Sequence, residues 1–365
     1  MLTGLKKIIK SVIPRSLLKK YREWKFDESK IIYKGISYRE YLESALSALR
    51  PDVIGSNRRI LLGDIKRTYL ADGTRPDEYL LYDFDHKNKS ECDKYMPQKA
   101  KDSILFNYYA QDAKQLSSQL RNKYMFYTLA KPFFKRDVIK IERGEDWELF
   151  ESFCVAHPRV ICKIVNGGCG VGLRIEDMKK HNQAKSLFDE LISHEEPWII
   201  EDFIDQDEAL SSFNMSSVNT IRFPSFRHGN VVVQAYPCIR FGRKGSLVDN
   251  AGQNGIFASV DIKNGTIITN GFDEWGHEYV AHPDSQVIFK GFQVPRWGEL
   301  IDEARQVHMS LPEKQVYVGF DFALSKNGWV VVEGNWGDFV LQQTSLKRGM
   351  KQEFLQLLIG NQVTK

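Results

Sequence analysis

The sequence predicts an α+β protein: two α+β lobes facing one another across a cleft, behind a mostly helical N-terminal region. Three observations carry this. The chain as far as about residue 115 is polar and has helical spacing, for example across residues 38–46. From Asn122 onward, short β-rich runs alternate with amphipathic segments. Near the end, two β-rich runs, 316–324 and 329–335, flank Asn327-Gly328, a hairpin signal.

In order, helical spacing over 38–46 gives way to charged, irregular stretches at 79–88 and 92–101, and resumes over 113–129. A short strand is expected at 137–141, a helix at 147–153, and a buried strand at 160–165 that runs into the glycine-rich loop 166–172. Strand 173–176, helix 178–193 and strand 198–204 follow. Antiparallel strands are expected at 219–226, 231–241, 256–261 and 266–269, then helix 297–311, the hairpin, and a closing helix at 346–359. The changes of texture suggest a helical region over residues 1–115, a small lobe carrying the glycine loop over 116–200, and a large lobe over 201–365.

Composition bounds the function. At 365 residues, 42% hydrophobic and 27% charged, the chain can fill two or three cores, and a net charge of +4 is too small to argue for a nucleic-acid partner. The five cysteines are scattered without a CxxC pair, which suits a reducing cytoplasm and argues against a disulfide frame or a zinc site. No apolar run is long enough to span a membrane, and no signal peptide with a cleavage site is recognised. Residues 1–25 do hold eight Lys or Arg against one Glu, interleaved with Leu5, Ile8, Ile9, Val12, Ile13, Leu17 and Leu18. Such a basic amphipathic segment either lies on an anionic membrane surface or is an ordinary surface helix broken at Pro14.

The hairpin carries the first candidate site. A three-residue loop, Lys326-Asn327-Gly328, pairs Asp321 with Glu333, because side chains alternate with period two. That register sets Phe320, Phe322 and Leu324 beside Val330 and Val332 on an apolar face, and leaves Asp321, Glu333 and Asn335 on the other. Two carboxylates and an amide are the oxygen donors that a magnesium ion prefers; the alternative is a solvated strand face.

The glycine loop carries the second. Gly167, Gly168, Gly170 and Gly172 leave backbone N–H groups available to wrap an anion. No Gly-Lys-Ser/Thr follows, and strand rather than helix resumes after it, so neither a Walker loop nor a dinucleotide fingerprint fits. Lys163, inside the apolar strand before the loop, needs an anion partner unless its stem snorkels to the surface. Arg222 and Arg240 are also cations within strands, and 249–255 is a polar loop bearing Asn250.

Taken together these residues resemble the ATP-grasp superfamily, in which two α+β lobes clamp ATP. The run from Lys163 to Gly172 is similar to the strand lysine and mobile loop over the phosphates, and Lys123 to the earlier phosphate-binding lysine. Glu201, Phe203 and Ile204 resemble the hinge that reads adenine, and Glu208 the ribose-binding acid. Asp321, Glu333 and Asn335 resemble the magnesium ligands, with the Glu-x-Asn spacing the most specific sign. The segments 218–222, 248–255, His282-Pro283 and 332–336 resemble the sugar-transfer-associated group, which is linked to bacterial surface-polysaccharide synthesis. Arg222, Arg240 and Asn250 fall in the order used around the acyl phosphate by ligases that add glutamate to a ribosomal protein.

The resemblance implies ATP and Mg2+ as cofactors and a carboxylate–amine ligase acting on small-molecule or glycan-linked substrates, in the cytoplasm or at the inner face of the membrane. Arg222, Arg240 and Asn250 would be its catalytic residues. Two other readings stay open: a kinase or phosphotransferase acting on a sugar or glycan, and a nucleotide-binding module without turnover. Two departures stand out. Residues 1–115 show no sign of the usual N-terminal α/β lobe. Where D-alanine ligases carry an arginine two residues before the metal aspartate, this chain has Gly319, which argues against a D-alanine-type substrate.

Overall fold

The computed structural model describes residues 31–33, 35–168, 172–178, 183–337 and 339–360. The basic segment 1–25 and Gly170 of the glycine loop lie outside them. The described chain forms two compact units, one reaching Ile104 and including Lys347–Lys351, the other made of Leu105–Leu346 and the residues from Gln352 onward.

In the first unit, a short hairpin of β1 (Ile32–Tyr33) and β2 (Ile36–Ser37) leads into helix α1 (Tyr38–Leu49). A reciprocal capping box starts α1: the Ser37 hydroxyl accepts the Glu40 N–H, and the Glu40 carboxylate accepts the Ser37 N–H at 2.9 Å. Its buried stripe is Tyr38, Tyr41, Leu42, Ala45 and Leu46, the spacing of one helix face. Helix α2 spans Gly55–Asp72. Helix α3 (Pro76–Leu81) runs into the first stretch that read as irregular, α4 (Lys89–Cys92) lies between the two, and α5 (Gln98–Tyr109) starts within the second. The first two are too short to show a period, and local signals set them: Pro76 at the first turn of α3, and the Asn88 cap of α4.

The second unit is built on two antiparallel sheets. Helices α6 (Ala113–Arg121) and α7 (Lys123–Phe134) lead into a four-stranded sheet ordered β3-β6-β4-β5. Its strands are β3 (Val138–Ile141), β4 (Arg159–Ile164), β5 (Arg174–Asp177) and β6 (Trp198–Asp202). Helices α8 (Trp147–Ala156) and α9 (Gln183–Ile192) cover it, with Phe150, Phe153, Leu187, Phe188 and Leu191 in a shared core.

The larger sheet runs β12-β11-β10-β9-β7-β13-β14, with β8 pairing β7. It comprises β7 (Thr220–His228), β8 (Val231–Gln234), β9 (Cys238–Phe241), β10 (Ile256–Ser259), β11 (Gly271–Phe272), β12 (Glu278–Tyr279), β13 (Tyr317–Ser325) and β14 (Gly328–Asn335). Before β7 lies the one-turn helix α10 (Glu208–Ser211). Helix α11 (Trp297–Ser310) presents Trp297, Leu300, Ala304 and Val307 to Phe223, Phe320 and Phe322. Each large side chain sealed there contributes roughly 1.5–3 kcal/mol relative to exposure.

Several elements depart from expectation. The single strand expected at 231–241 is two, because Pro237 has no N–H to donate and Tyr236 takes a left-handed φ of 54°. Residues 266–269 form only isolated bridges, and the two-residue strands β11 and β12 extend the sheet instead. The closing helix expected at 346–359 is α13 (Lys351–Leu358), which starts only after Lys347, whose φ is 51°, and an unexpected short helix, α12 (Val340–Ser345), precedes it. Among the described residues no helix is long and apolar enough to cross a membrane.

The hairpin reaches its register by another route than the expected three-residue loop. Ser325 pairs with Gly328, so the loop is Lys326-Asn327, and the ladder continues regularly to Phe322 opposite Val331. Asp321 then pairs with Glu333, which leaves Val332 as a β-bulge. The extra residue restores the pairing that a two-residue loop alone would forbid. It also changes the apolar face, because Trp329 and Val331 join Phe320, Phe322 and Leu324, while Val330 packs with Ala323 and Ile204 and has Val332 against it.

Candidate functional site

Antiparallel pairing on both sides of β7 gathers the charged residues of the large sheet. Arg222 on β7 lies opposite Asp321 on β13, and Thr220 on β7 lies opposite Arg240 on β9. The Arg222 guanidinium donates from Nε to Asp321 Oδ1 at 2.6 Å and from Nη2 to Oδ2 at 3.2 Å. Arg240 Nη2 donates to Asp321 Oδ2 at 3.0 Å and to the Thr220 hydroxyl at 2.7 Å, and lies 3.4 Å from Asp249 Oδ1. Asn250 Oδ1 accepts from Arg240 Nη1 at 3.4 Å. Asp249 is held by the Thr220 N–H and hydroxyl at 2.8 and 2.5 Å. Asp321 is 1% exposed, Arg240 7% and Arg222 9%. Buried charges of this kind persist only when matched and hydrogen-bonded, as these are.

Titration separates the two hairpin carboxyls. Burial alone would raise the Asp321 pKa, but the Arg222 and Arg240 charges outweigh it and hold the group at about 2. Glu333 goes the other way: burial and the Asp321 charge push its carboxyl up, and the two groups hydrogen-bond to each other. The Asn335 amide donates to Glu333 Oε1 at 3.3 Å, while its own carbonyl oxygen is buried without a hydrogen-bond partner. Two glycines shape the surroundings. A Cβ on Gly337 would come within 2.2 Å of Arg222 Nη1 and 2.7 Å of Asn335 Oδ1, and a Cβ on Gly334 within 2.6 Å of the Phe126 ring of α7. The residue between Glu333 and Asn335 is therefore small, so that the helix closes on the strand.

These residues fit a divalent cation. An orphaned amide oxygen, a carboxyl made reluctant to ionise by its neighbour, and a second carboxylate form one oxygen-donor patch, and a cation would satisfy the first two at once.

A second cluster lies on the small sheet. Glu201 on β6 is 1% exposed and accepts from Lys163 Nζ at 2.7 Å on one oxygen and from Arg136 Nε and Nη2 at 2.9 and 2.6 Å on the other. Burial would raise its pKa; the Lys163 and Arg136 charges reverse that, to about 2. The anion that Lys163 requires is thus supplied by Glu201. Arg136 had no sequence signal, because it sits with Lys135 between a helix and a strand, where paired cations read as solvated. Both reach the edge strand β14: Arg136 Nη1 donates to the Val331 carbonyl at 2.8 Å, and Lys135 Nζ to that of Trp329 at 3.0 Å.

The remaining predicted residues are placed as follows. Lys123 opens α7, and its ammonium donates to the carbonyls of Gly167 and, at 3.3 Å, of Ile164. Around Gly168 there is open space for a side chain. Ile204 is buried against Ala323 and Val330. Phe203 is half-buried under the Arg159 guanidinium, 3.6 Å from its ring centroid, and its N–H is taken by the Asp202 carboxylate at 2.8 Å. Glu208 is exposed at the start of α10. The structure therefore joins Asp321, Glu333, Asn335, Arg222, Arg240 and Asn250 in one network, Lys163 and Glu201 in another, and Lys123 with Gly167.

Two α+β sheet systems, a glycine loop on the smaller and an oxygen-donor stripe on the larger define the ATP-grasp class. Within that class, the profile of the sugar-transfer associated ATP-grasp family matches residues 107–356, and the chain belongs to that family. Among curated protein sequences none matches the chain. Solved structures with detectable similarity include D-alanyl-alanine synthetase A from Vibrio cholerae O1 biovar eltor, at 11% identity over 67% of this chain and 66% of that one, with a TM-score of 0.42. The ATP-grasp ligase PsnB, solved with a minimal precursor, shows 11% identity over 72% of this chain and 70% of its own, with a TM-score of 0.43. An L-amino acid ligase from Bacillus licheniformis shows 14% identity over 64% of this chain and 48% of its own, with a TM-score of 0.39. The chain thus spans under two thirds of the Vibrio and Bacillus enzymes.

Proposed function

We propose that this protein is an ATP- and Mg2+-dependent ligase that activates a carboxylate as an acyl phosphate and joins it to an amine, in the synthesis of a bacterial surface polysaccharide. The observation that carries the proposal is the buried network of Asp321, Glu333, Asn335, Arg222 and Arg240, with two guanidiniums beside an oxygen-donor patch. Phosphoryl transfer needs alignment and neutralised charge more than covalent help from the protein. A carboxylate oxygen would attack the γ-phosphorus as its bond to the β-phosphate oxygen breaks and ADP leaves. The amine would then attack the acyl carbon, lose a proton and release phosphate.

Asp321, Glu333 and Asn335 would hold magnesium, which when bound supplies charge neutralisation for the phosphates. Arg222 and Arg240, fixed by Asp321, Thr220 and Asn250, would stabilise the oxyanions that develop on the transferring phosphoryl group and the tetrahedral carbon. Each charge-assisted contact of this kind is worth on the order of 1.5–3 kcal/mol, so losing one lowers the rate by about tenfold or more. Lys123 and Lys163 would meet the phosphates, and Lys163 would exchange Glu201 for them. The backbone around Phe203 and Ile204 would receive adenine, with Glu208 near the ribose.

The test is ATP turnover screened against pairs of uronic or amino acids with amines. Release of ADP and phosphate that requires both partners supports the ligase. A stable phosphoester formed without an amine would make the protein a kinase, and ATP binding without consumption would make it a nucleotide-binding module.

A further inference from the structure

The arginine–carboxylate network holds one more carboxylate, which neither the metal patch nor the acyl-phosphate chemistry uses. Asp249 is 5% exposed and lies between β9 and β10, one residue before Asn250. Its Oδ2 takes both the N–H and the hydroxyl of Thr220, at 2.8 and 2.5 Å, and its Oδ1 lies 3.4 Å from Arg240 Nη2. Thr220 opens β7 directly opposite Arg240 of β9. A buried carboxylate spent on a threonine hydroxyl beside an arginine needs a reason.

The reason lies in where the hydroxyl proton goes. Guanidinium nitrogens only donate, and Thr220 Oγ1 receives two of them, Arg240 Nη2 at 2.7 Å and Nε at 3.1 Å. Those two bonds use both lone pairs of the oxygen, so its one proton is left for Asp249. With the proton drawn that way, the hydroxyl is a pure acceptor toward Arg240. The second N–H of Nη2 goes to Asp321 Oδ2 at 3.0 Å. Three of the five guanidinium N–H groups are thus committed, on Nε and Nη2. The two on Nη1 have only a long contact, 3.4 Å, to Asn250 Oδ1 among the described residues.

The backbone behind this arrangement is fixed as well. Gly242, two residues past Arg240, donates its N–H to Asn219 Oδ1 at 3.1 Å, and its carbonyl accepts from His282 Nε2 at 3.0 Å. Asn219 precedes Thr220 and donates from Nδ2 to the Leu210 and Asn214 carbonyls at 2.9 and 3.1 Å. Both Asn219 and His282 are fully buried. A Cβ on Gly242 would meet the Asn214 amide nitrogen and the Val248 carbonyl oxygen, each at 2.9 Å, so glycine lets the strand end pass between them. Asn219 and His282 therefore tie the end of β9 to the start of β7, and Thr220 stays in register with Arg240.

We propose that Asp249 is a positioning residue for phosphoryl transfer: by taking the Thr220 hydroxyl proton it fixes the Nε–Nη2 edge of Arg240 and leaves the Nη1 edge, beside Asn250, to meet the transferring phosphoryl group. This role rests on the ligase reading, in which Arg240 faces that group. It is tested on the full chain by calorimetry with magnesium-ADP, alone and with aluminium fluoride, which mimics the transferring phosphoryl group. Wild type should bind magnesium-ADP about tenfold or more tightly when aluminium fluoride is present. Asp249→Asn and Thr220→Val should keep the affinity for magnesium-ADP alone within about twofold and lose most of the fluoride gain, and their losses should not add in the double variant. Thr220→Ser, which restores the hydroxyl, should keep the gain. A merely structural Asp249 would lower both affinities together or leave the gain intact, and either result in Asp249→Asn overturns the proposal. So does a loss in Thr220→Ser as deep as that in Thr220→Val. The two Thr220 variants keep the buried carboxylate, so they decide the question if Asp249→Asn does not fold. Failure of wild type to bind magnesium-ADP refutes the ligase reading itself, whereas binding to which aluminium fluoride adds nothing refutes the positioning role alone.

Discussion

Asp321 and Glu333 are the same chemical group on facing strands, and the two guanidiniums beside Asp321 give them opposite characters. Asp321→Asn should cost about 3–5 kcal/mol, because it leaves Arg222 and Arg240 buried without their anion. Glu333→Gln should leave stability nearly unchanged or raise it, since it removes a group that resists ionising beside Asp321. Both variants should lose the melting shift produced by magnesium-ATP. Melts with and without nucleotide check this, and a Glu333→Gln loss as large as that of Asp321→Asn would defeat the reading. Lys163 poses a similar question, because its Glu201 partner gives it a structural reason to exist. Lys163→Met should cost about 1–3 kcal/mol by leaving a Glu201 oxygen unsatisfied. Adding Glu201→Gln should recover part of that stability but not the affinity for ATP; recovery of both, or ATP affinity unchanged in Lys163→Met, would make the lysine purely structural. Residue types at the hairpin were legible in sequence because carboxylates are rare in strands and fell on one stripe. The Lys163–Glu201 pair was not, since its partners lie 38 residues apart on neighbouring strands.

At the scale of elements, the edge strand β14 shows how local chemistry sets register. Its outer carbonyls at Trp329 and Val331 have no strand to receive them, and Lys135 and Arg136 close that edge from the end of α7. Val331 adjoins the Val332 bulge, so the same arginine that holds Glu201 steadies the backbone leading to Glu333. Arg136→Met should cost about 3–5 kcal/mol in urea unfolding, as expected for stranding the other half of a buried pair. Arg136→Lys should recover only a part, because a point charge cannot make the forked contacts to Glu201 and Val331 together. Full recovery by lysine would mean that charge alone matters at this position. The bulge explains why the sequence pointed to the right pair through the wrong loop. Asn327-Gly328 announces a hairpin, but a turn signal does not reveal an irregularity four residues farther along the strand.

At the scale of the whole molecule, the α+β architecture was readable because it depends on alternating textures and on glycine and proline punctuation. The short helices of the N-terminal unit were not, since caps rather than periodicity define them. Stability against pH joins residues from both units. His308, fully buried on α11, lies 2.7 Å from both the Ser225 hydroxyl and the Gln315 carbonyl. A carbonyl only accepts, so Nε2 carries the proton and Nδ1 accepts from Ser225. Burial, which the Gln315 carbonyl only partly offsets, lowers the His308 pKa from 6.5 to about 4. Between those values the unfolded chain binds more protons than the folded one. The stability that His308 contributes is therefore complete above pH 6.5 and is lost as pH falls toward 4. Glu78 has the opposite sign: burial raises its carboxyl to about 7, so in that unit acidification is favourable over an overlapping range. Glu201 and Asp321, held at about 2, keep their contributions until the pH falls below the ordinary carboxylate range. Comparing wild type with His308→Gln at each pH cancels the other groups. The advantage of wild type in urea unfolding should shrink by about 2 kcal/mol between pH 7.5 and pH 5.0. An advantage that stays constant over that range would mean that His308 titrates alike in the folded and unfolded chain, and one that grows on acidification would mean that the fold holds His308 protonated with Ser225 accepting from it.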